Sequence, residues 1–231
     1  MKIGIDARLI NQTGVGRYIR NLIGNLAEID KKNNYVLFAR REDLNEFGKI
    51  KGQFGEWKVV ISDISWHSLE EQFKVKNILE KEDLDLVHFP YFSVPIFYNK
   101  PFVVTIHDLI IHHFPTGKAS TLPGPIYWSK IAAYKYVISK ASQKAKKIIA
   151  VSNSTRGEII DHLKMDPKKI EVTHEAVDDK TIEKATKPKN IKFEKYFLFV
   201  GNVYPHKNAD TLVKAFESIN QSDIGLIFVG K

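Results

Sequence analysis

The chain has 231 residues, 43% of them hydrophobic and 11% aromatic, which supplies a sizeable core and excludes intrinsic disorder. Its 35 Lys and Arg against 27 Asp and Glu leave a net charge of +8, a balance that favours phosphates, nucleic acid or an anionic membrane surface without choosing among them. With no cysteine, disulfides, thiolate metal sites, iron–sulfur clusters and cysteine nucleophiles are all excluded.

After Met1-Lys2 the apolar stretch Ile3-Gly4-Ile5 meets Asp6 and Arg8, so no secretory core forms. No run reaches the roughly 18 apolar residues of a membrane span. The expectation is a soluble, cytoplasmic protein, with attachment to the inner face of a membrane left open by the charge.

Short apolar runs alternate with segments of helical period, the pattern of a parallel sheet covered by helices on both faces. Strands are expected at Lys2–Asp6, Tyr35–Ala39, Lys58–Ile61, Asp85–Phe89, Pro101–His107, Lys147–Val151 and Lys169–Val172. Several are apolar throughout, as strands buried on both faces are. In the first helix Val15, Tyr18, Ile19, Leu22, Ile23 and Leu26 share one stripe. Further helices are expected around Ser68–Leu79 and Ile126–Lys144, and from Thr155, where Thr155-Arg156-Gly157-Glu158 reads as a capping box. Asp178 to Lys195 is rich in Asp, Glu, Lys and Thr around Pro188 and reads as a linker. A second unit then opens with strand Tyr196–Val200, helix Ala209–Ile219 and strand Gly225–Val229. The organisation expected is a first domain over residues 1–177, a linker over 178–195 and the start of a second domain over 196–231.

Four features carry chemistry. Thr13-Gly14-Val15-Gly16-Arg17 lies between strand one and helix one, where paired glycines let backbone amides approach a phosphate. The alternative is a plain tight turn, since Ile19 stands where a dinucleotide fingerprint needs its third glycine. His107-Asp108 closes an apolar strand, at the edge where open α/β sheets bind ligands, and Ser152-Asn153 follows another strand. A histidine satisfied by its own loop is the competing reading. Lys207, after Tyr204-Pro205-His206, sits between a strand and a helix and could neutralise a diphosphate or simply face solvent. The long helix carries Lys130, Lys135, Lys140, Lys144, Lys146 and Lys147 among Tyr127, Trp128, Tyr134 and Tyr136, which suits an anionic lipid surface or an ordinary solvated basic face.

Two other patterns lead away from chemistry. Asp83-Leu84-Asp85 has the form of a metal-binding DxD but precedes its strand, at the wrong end of the sheet for a ligand. His112 and His113 lack a metal-ligand spacing, so no metal site is expected. No nucleic-acid-binding motif accompanies the charge, and nucleic acid is not expected as a partner.

Taken in order, these pieces resemble the retaining GT-B glycosyltransferases of the large group-1 (GT4-type) family. The resemblance rests on Ile3-Gly4-Ile5-Asp6-Ala7-Arg8, Gly14-Val15-Gly16-Arg17-Tyr18, Asp85-Leu86-Val87-His88, Thr105-Ile106-His107-Asp108-Leu109 and Ala150-Val151-Ser152-Asn153-Ser154. It continues through Phe199-Val200-Gly201-Asn202, Pro205-His206-Lys207-Asn208 and Phe228-Val229-Gly230-Lys231. It implies a doubly wound Rossmann-like parallel sheet as the acceptor-side N-terminal domain, followed by a truncated second Rossmann-like domain for the donor. It further implies sugar transfer from a nucleotide-diphosphate sugar to a glycan or lipid-linked acceptor, retaining and metal-independent, with no cofactor.

By the same resemblance Gly14 and Gly16 face the donor diphosphate, His107 is the active-site histidine near the donor sugar, and Lys207 grips the phosphates. Asp108, Ser152, Asn153 and His206 would line the cleft. The arginine that many members carry in the phosphate loop has no counterpart here, where Asn202 follows Gly201. The family's E-x7-E element and its base- and ribose-binding segments would fall beyond Lys231, so residues 1–231 are not expected to turn over alone. Unpaired strand edges in such a fragment would favour self-association. The alternative from another class is a non-catalytic Rossmann-like module that binds an acidic ligand or partner.

Overall fold

The first seven apolar runs pair into one parallel sheet in the computed structural model, which describes residues 1–48, 50, 57–115, 123–176, 191–219, 221 and 223–230. The strands are β1 (Lys2–Asp6), β2 (Asn34–Ala39), β3 (Lys58–Ile61), β4 (Leu86–Phe89), β5 (Phe102–Ile106), β6 (Lys147–Ala150) and β7 (Ile170–Val172). Their spatial order is β3-β2-β1-β4-β5-β6-β7. The chain steps outward from β1 to β3 and then resumes at β4 on the other side of β1. That reversal creates a crevice outside the carboxyl ends of β1 and β4, the position at which doubly wound sheets take ligands.

Side-chain alternation sorts the sheet into two cores. Val36, Phe38, Val87, Phe89, Val104 and Ile106 share one buried cluster with Val75, Leu79, Ile138, Ile159 and Leu163. These last come from the segment Glu71–Val75, which turns as a π-helix into α3 (Lys76–Glu80), and from α5 (Gly124–Lys144) and α6 (Asn153–Leu163). Ile5, Tyr35 and Leu37 point the other way and pack with Ile19 and Ile23 of α1 (Gly14–Ile29). Short helices α2 (Leu44–Phe47) and α4 (Ile110–His113) complete this part of the chain.

The strand expectations agree with the structure to within a residue at most ends. Asp85 stays outside β4 because its carboxylate accepts the Lys2 amide at 2.7 Å. The helix expected from Thr155 begins earlier, at Asn153. Ser152 is its N-cap, and its Oγ accepts the Thr155 amide at 3.0 Å. Thr155 is then one turn inside, so the capping-box reading is corrected.

By packing, the chain divides into two compact units, Met1–Leu109 with Ala132–Ala176 and Ile110–Ile131 with Val177–Lys231. The second contains a separate two-stranded parallel sheet of β8 (Lys195–Val200) and β9 (Ile224–Val229), joined through α7 (Ala209–Glu217). β8 takes up Lys195, the last residue of the expected linker; residues 178–190 of that stretch lie outside the described residues. A Cβ on Gly230 would stand 2.2 Å from the Gly201 carbonyl oxygen, so the two strand ends can close together only because that position is glycine. Among the described residues no helix is long and apolar enough to cross a membrane.

Candidate functional site

The site is built at the carboxyl edge of the seven-stranded sheet. His107 follows β5 with its side chain 13% exposed. Its Nε2 lies 2.9 Å from the Pro90 carbonyl oxygen and its Nδ1 2.9 Å from Glu175 Oε1. Both partners are acceptors, so both contacts are hydrogen bonds only when each ring nitrogen carries a proton. The backbone is anchored as well: Thr155 Oγ1 donates to the His107 carbonyl at 3.1 Å. His107 is thereby held from the loop after β4, from the residues after β7 and from α6.

α1 approaches the same point. The Tyr18 ring meets His107 edge to face, with centroids 4.9 Å apart, and its hydroxyl lies 3.2 Å from Thr105 Oγ1. That oxygen is 2.8 Å from His88 Nε2. His88 and Thr105 are polar residues at the α1-facing positions of apolar strands β4 and β5, and both are buried. Burial, followed by the neighbouring charge of His107, lowers the pKa of His88 to about 4. The imidazole beneath the site is therefore neutral at neutral pH. Burial also raises the Tyr18 phenol above its ordinary value.

The glycines differ from the sequence reading. Both lie in the first turn of α1, not in a loop before it. A Cβ on Gly16 would stand 2.4 Å from the Ile10 carbonyl oxygen, whereas Gly14 has open space around it. Gly16 is thus required for close passage of the chain that follows β1, and Gly14 is the exposed position. Thr13 makes no side-chain cap bond, and the first amides of a helix have no partner within it.

Ser152, expected at the cleft, is engaged with its own helix. Its hydroxyl accepts the Thr155 amide and lies 3.0 Å from Thr155 Oγ1. Its work is to cap α6, and through Thr155 it supports His107. Asn153 and Asp108 are exposed at that edge.

The second unit carries the remaining residues. Pro205–Lys207 forms a 3-10 turn that ends at Asn208, in left-handed conformation with φ 52°, before α7. His206 packs near parallel to Tyr204, centroids 5.9 Å apart, and against Phe114 at 6.2 Å. Lys207 is exposed. The Asp83-Leu84-Asp85 pattern lies in the turn before β4, at the opposite edge of the sheet from His107, where Asp83 reaches Lys100 at 3.5 Å.

Sequence reasoning did not reach Glu175, or the chain of Tyr18, Thr105 and His88. A local signal existed for His88 and Thr105, each a polar residue within a run otherwise fit for a core. Glu175 had none.

A buried ionic cluster adjoins this edge. Arg8 Nη2 lies 2.6 Å from Asp6 Oδ2 and 2.7 Å from Glu71 Oε1. Glu71 is fully buried and Arg8 nearly so. Burial raises the Glu71 carboxyl against the opposing pull of Arg8 and Ser93. For Arg8 burial acts downward, but the two carboxylates prevail and hold it charged.

Comparison with known proteins places this architecture. The family profile of Glycosyltransferase Family 4 matches residues 12–181. The O-antigen chain mannosyltransferase RfbU of Salmonella typhimurium is 22% identical over 150 residues. That match covers 64% of this chain but only 37% of the relative's length. Among solved structures, a glycosyltransferase from Rickettsia africae superposes over 99% of this chain and 68% of its own, with TM-score 0.52 and 16% identity. The lipopolysaccharide outer core galactosyltransferase WaaB in its apo form covers 99% of this chain and 60% of its own, with TM-score 0.55 and 16% identity. At these identities the solved structures speak for the fold.

Proposed function

The chain belongs to glycosyltransferase family 4, and from that premise we propose that it acts in transfer of a sugar from a nucleotide-diphosphate sugar to a glycan or lipid-linked acceptor. Transfer retains anomeric configuration and needs no metal. One observation carries the reading: the amino end of α1 and His107 meet at the carboxyl edge of the sheet through the Tyr18 ring, 4.9 Å from His107.

The roles follow from the chemistry available. The free amides of the first turn at Gly14 attract a diphosphate, with the helix dipole adding to them. Gly16 lets that turn sit close on the preceding chain. His107 meets the donor sugar, and a sugar hydroxyl competes with Glu175 for its Nδ1. Lys207, exposed beside the start of α7, supplies positive charge to the departing diphosphate, whose stabilisation is the main electrostatic task. Asp108, Ser152 and Asn153 line the cleft at the carboxyl edge of the seven-stranded sheet, and His206 stands beside Lys207 in the second unit. The Asp83–Asp85 pair takes no part, because Asp85 is engaged by the Lys2 amide.

The anionic partner surface is carried by α5. No Asp or Glu occurs from Leu109 to Gly157, while α5 holds Lys130, Lys135, Lys140 and Lys144. Ile126, Trp128 and Tyr136 on the same helix are 48%, 57% and 54% exposed. Such a helix suits the headgroup region of an anionic bilayer, where a lipid-linked acceptor would lie. Co-sedimentation with vesicles should rise with anionic lipid and fall with salt. Binding indifferent to lipid charge would remove this part of the proposal.

Sugar transfer by the enzyme, with product configuration read by NMR, tests the main reading. An inverted product overturns retention. His107→Ala should depress turnover far more than melting temperature; parallel losses would make it a structural histidine.

A further inference from the structure

His67 has an unusual backbone for its residue type. It follows β3 on an exposed loop with φ 59°, in the left-handed region that glycine or asparagine adopts more readily. Such conformations persist where the surroundings over-determine them, and they gather at sites that bind or react.

The surroundings here are the buried ionic cluster. The His67 amide donates to Glu71 Oε2 at 2.9 Å, and Ser93 Oγ donates to the same oxygen at 2.7 Å. Glu71 Oε1 accepts from Arg8, which is paired with Asp6 and whose Nη1 reaches the Ile64 carbonyl at 3.4 Å. One guanidinium and one carboxylate thus tie together the loops after β1, β3 and β4. Buried ion pairs add little net stability, so their better-attested use is to specify one arrangement. The π-helical turns that begin at Glu71 are a second departure from regular structure of the kind frequent at functional sites.

The arrangement presents a row of rings. His67 stacks near parallel on Phe92 at 5.3 Å and on Tyr91 at 5.9 Å. Tyr91 in turn lies 6.5 Å from His107. The row runs from exposed His67 to the proposed active-site histidine, along the crevice between β1 and β4.

We propose that His67 is an acceptor-recognition residue, held by the Asp6–Arg8–Glu71 cluster so that its ring, backed by Tyr91 and Phe92, meets a neutral pyranose of the acceptor. The proposal rests on the glycosyltransferase reading. An imidazole offers an apolar face to the C–H side of a sugar ring and a polar rim to its hydroxyls. A phosphate fits less well. Two carboxylates against one guanidinium leave no excess positive charge beneath the ring, and nearby Arg40 is paired with Glu42 at 2.7 Å.

Saturation-transfer NMR on the 231-residue chain tests this, with methyl α-mannoside, methyl β-galactoside and methyl β-glucoside as probes and inorganic phosphate as competitor. The wild-type chain should saturate the C–H protons of at least one glycoside, and phosphate should not displace it. His67→Gly keeps the left-handed turn and removes the ring; it should hold its melting temperature within about 2 °C and weaken that signal about three- to ten-fold. His67→Asn, which also accepts this conformation, should behave alike and guards against a loosened turn. No glycoside signal in the wild type, equal signal in both variants, or displacement by phosphate overturns the proposal. In the transferring enzyme, His67→Gly should raise acceptor KM and leave donor KM unchanged. Transfer with an unchanged acceptor KM overturns this inference alone; glycoside binding through His67 in a full-length protein that transfers no sugar overturns the enzymatic reading instead.

Discussion

β5 and β8 are both short, predominantly apolar strands, and their structures are opposite. Phe102, Val104 and Ile106 of β5 are 2%, 0% and 1% exposed; Phe197, Leu198 and Val200 of β8 are 50%, 54% and 71% exposed. β5 is mostly β-branched and β8 half aromatic, and both pair in parallel. The difference lies in their neighbours. β5 is flanked by β4 and β6 and covered by helices on both faces, whereas β8 pairs with β9 alone among the described strands. A parallel strand takes its burial from the layers around it, not from its own composition.

That contrast makes quantitative demands on the two units. The largest concerns local opening: amides of β4 and β5 should exchange on the order of 10³-fold more slowly than those of β8 and β9. Comparable protection by hydrogen-exchange mass spectrometry would erase the distinction.

Within the seven-stranded unit, Glu71→Ala leaves Arg8 short of a buried partner and should cost about 3–5 kcal/mol. Lys58→Ala, at an exposed ion pair with Glu82, should cost no more than about 1 kcal/mol. Chemical denaturation of both variants checks the ratio. Equal costs would mean that the Arg8 cluster is as dispensable as a surface pair.

Truncating the strands gives a closer test. Ile106→Ala should cost about 2–5 kcal/mol through lost burial and a cavity. Leu198→Ala, half exposed, should stay within about 0.5 kcal/mol. A large loss at Leu198 would show that β8 is covered in solution.

His88 adds a pH dependence to the first unit. Its pKa is lowered to about 4 by burial and by the charge of His107, so below the ordinary value of about 6.5 the unfolded chain binds the extra proton. Stability is full above that value and declines as pH falls toward 4, by about 3 kcal/mol in all. His88→Asn should flatten the pH profile of urea unfolding between pH 4 and 7. An unaltered profile would place the titration elsewhere. Ser152→Ala should cost about 1 kcal/mol for a lost helix cap, read by the same urea unfolding.

Much of this was legible before the structure. The strand positions, the stripe of α1 and the carboxyl-edge location of His107 follow from periodicity, because a buried face must repeat as its backbone does. The α6 cap was misread by one motif: Ser152 and Thr155 are both fit to cap, and only the helix start decides between them. In the sequence Gly16 reads as a glycine needed for ligand approach. The structure adds that the Ile10 carbonyl leaves no room for a Cβ there.

The sequence by itself determined the α/β class, the positive α5 and the residues able to do chemistry at strand ends, since these depend on neighbours within a turn or an alternation. Tertiary structure alone decided which of them meet. Glu175 reaches His107 across 68 residues and Glu71 reaches Arg8 across 63. The spatial order of the strands, with β4 returning beside β1, brings those segments together. That order is set by the packing of whole layers, and no local pattern near Glu175 or Arg8 encodes it.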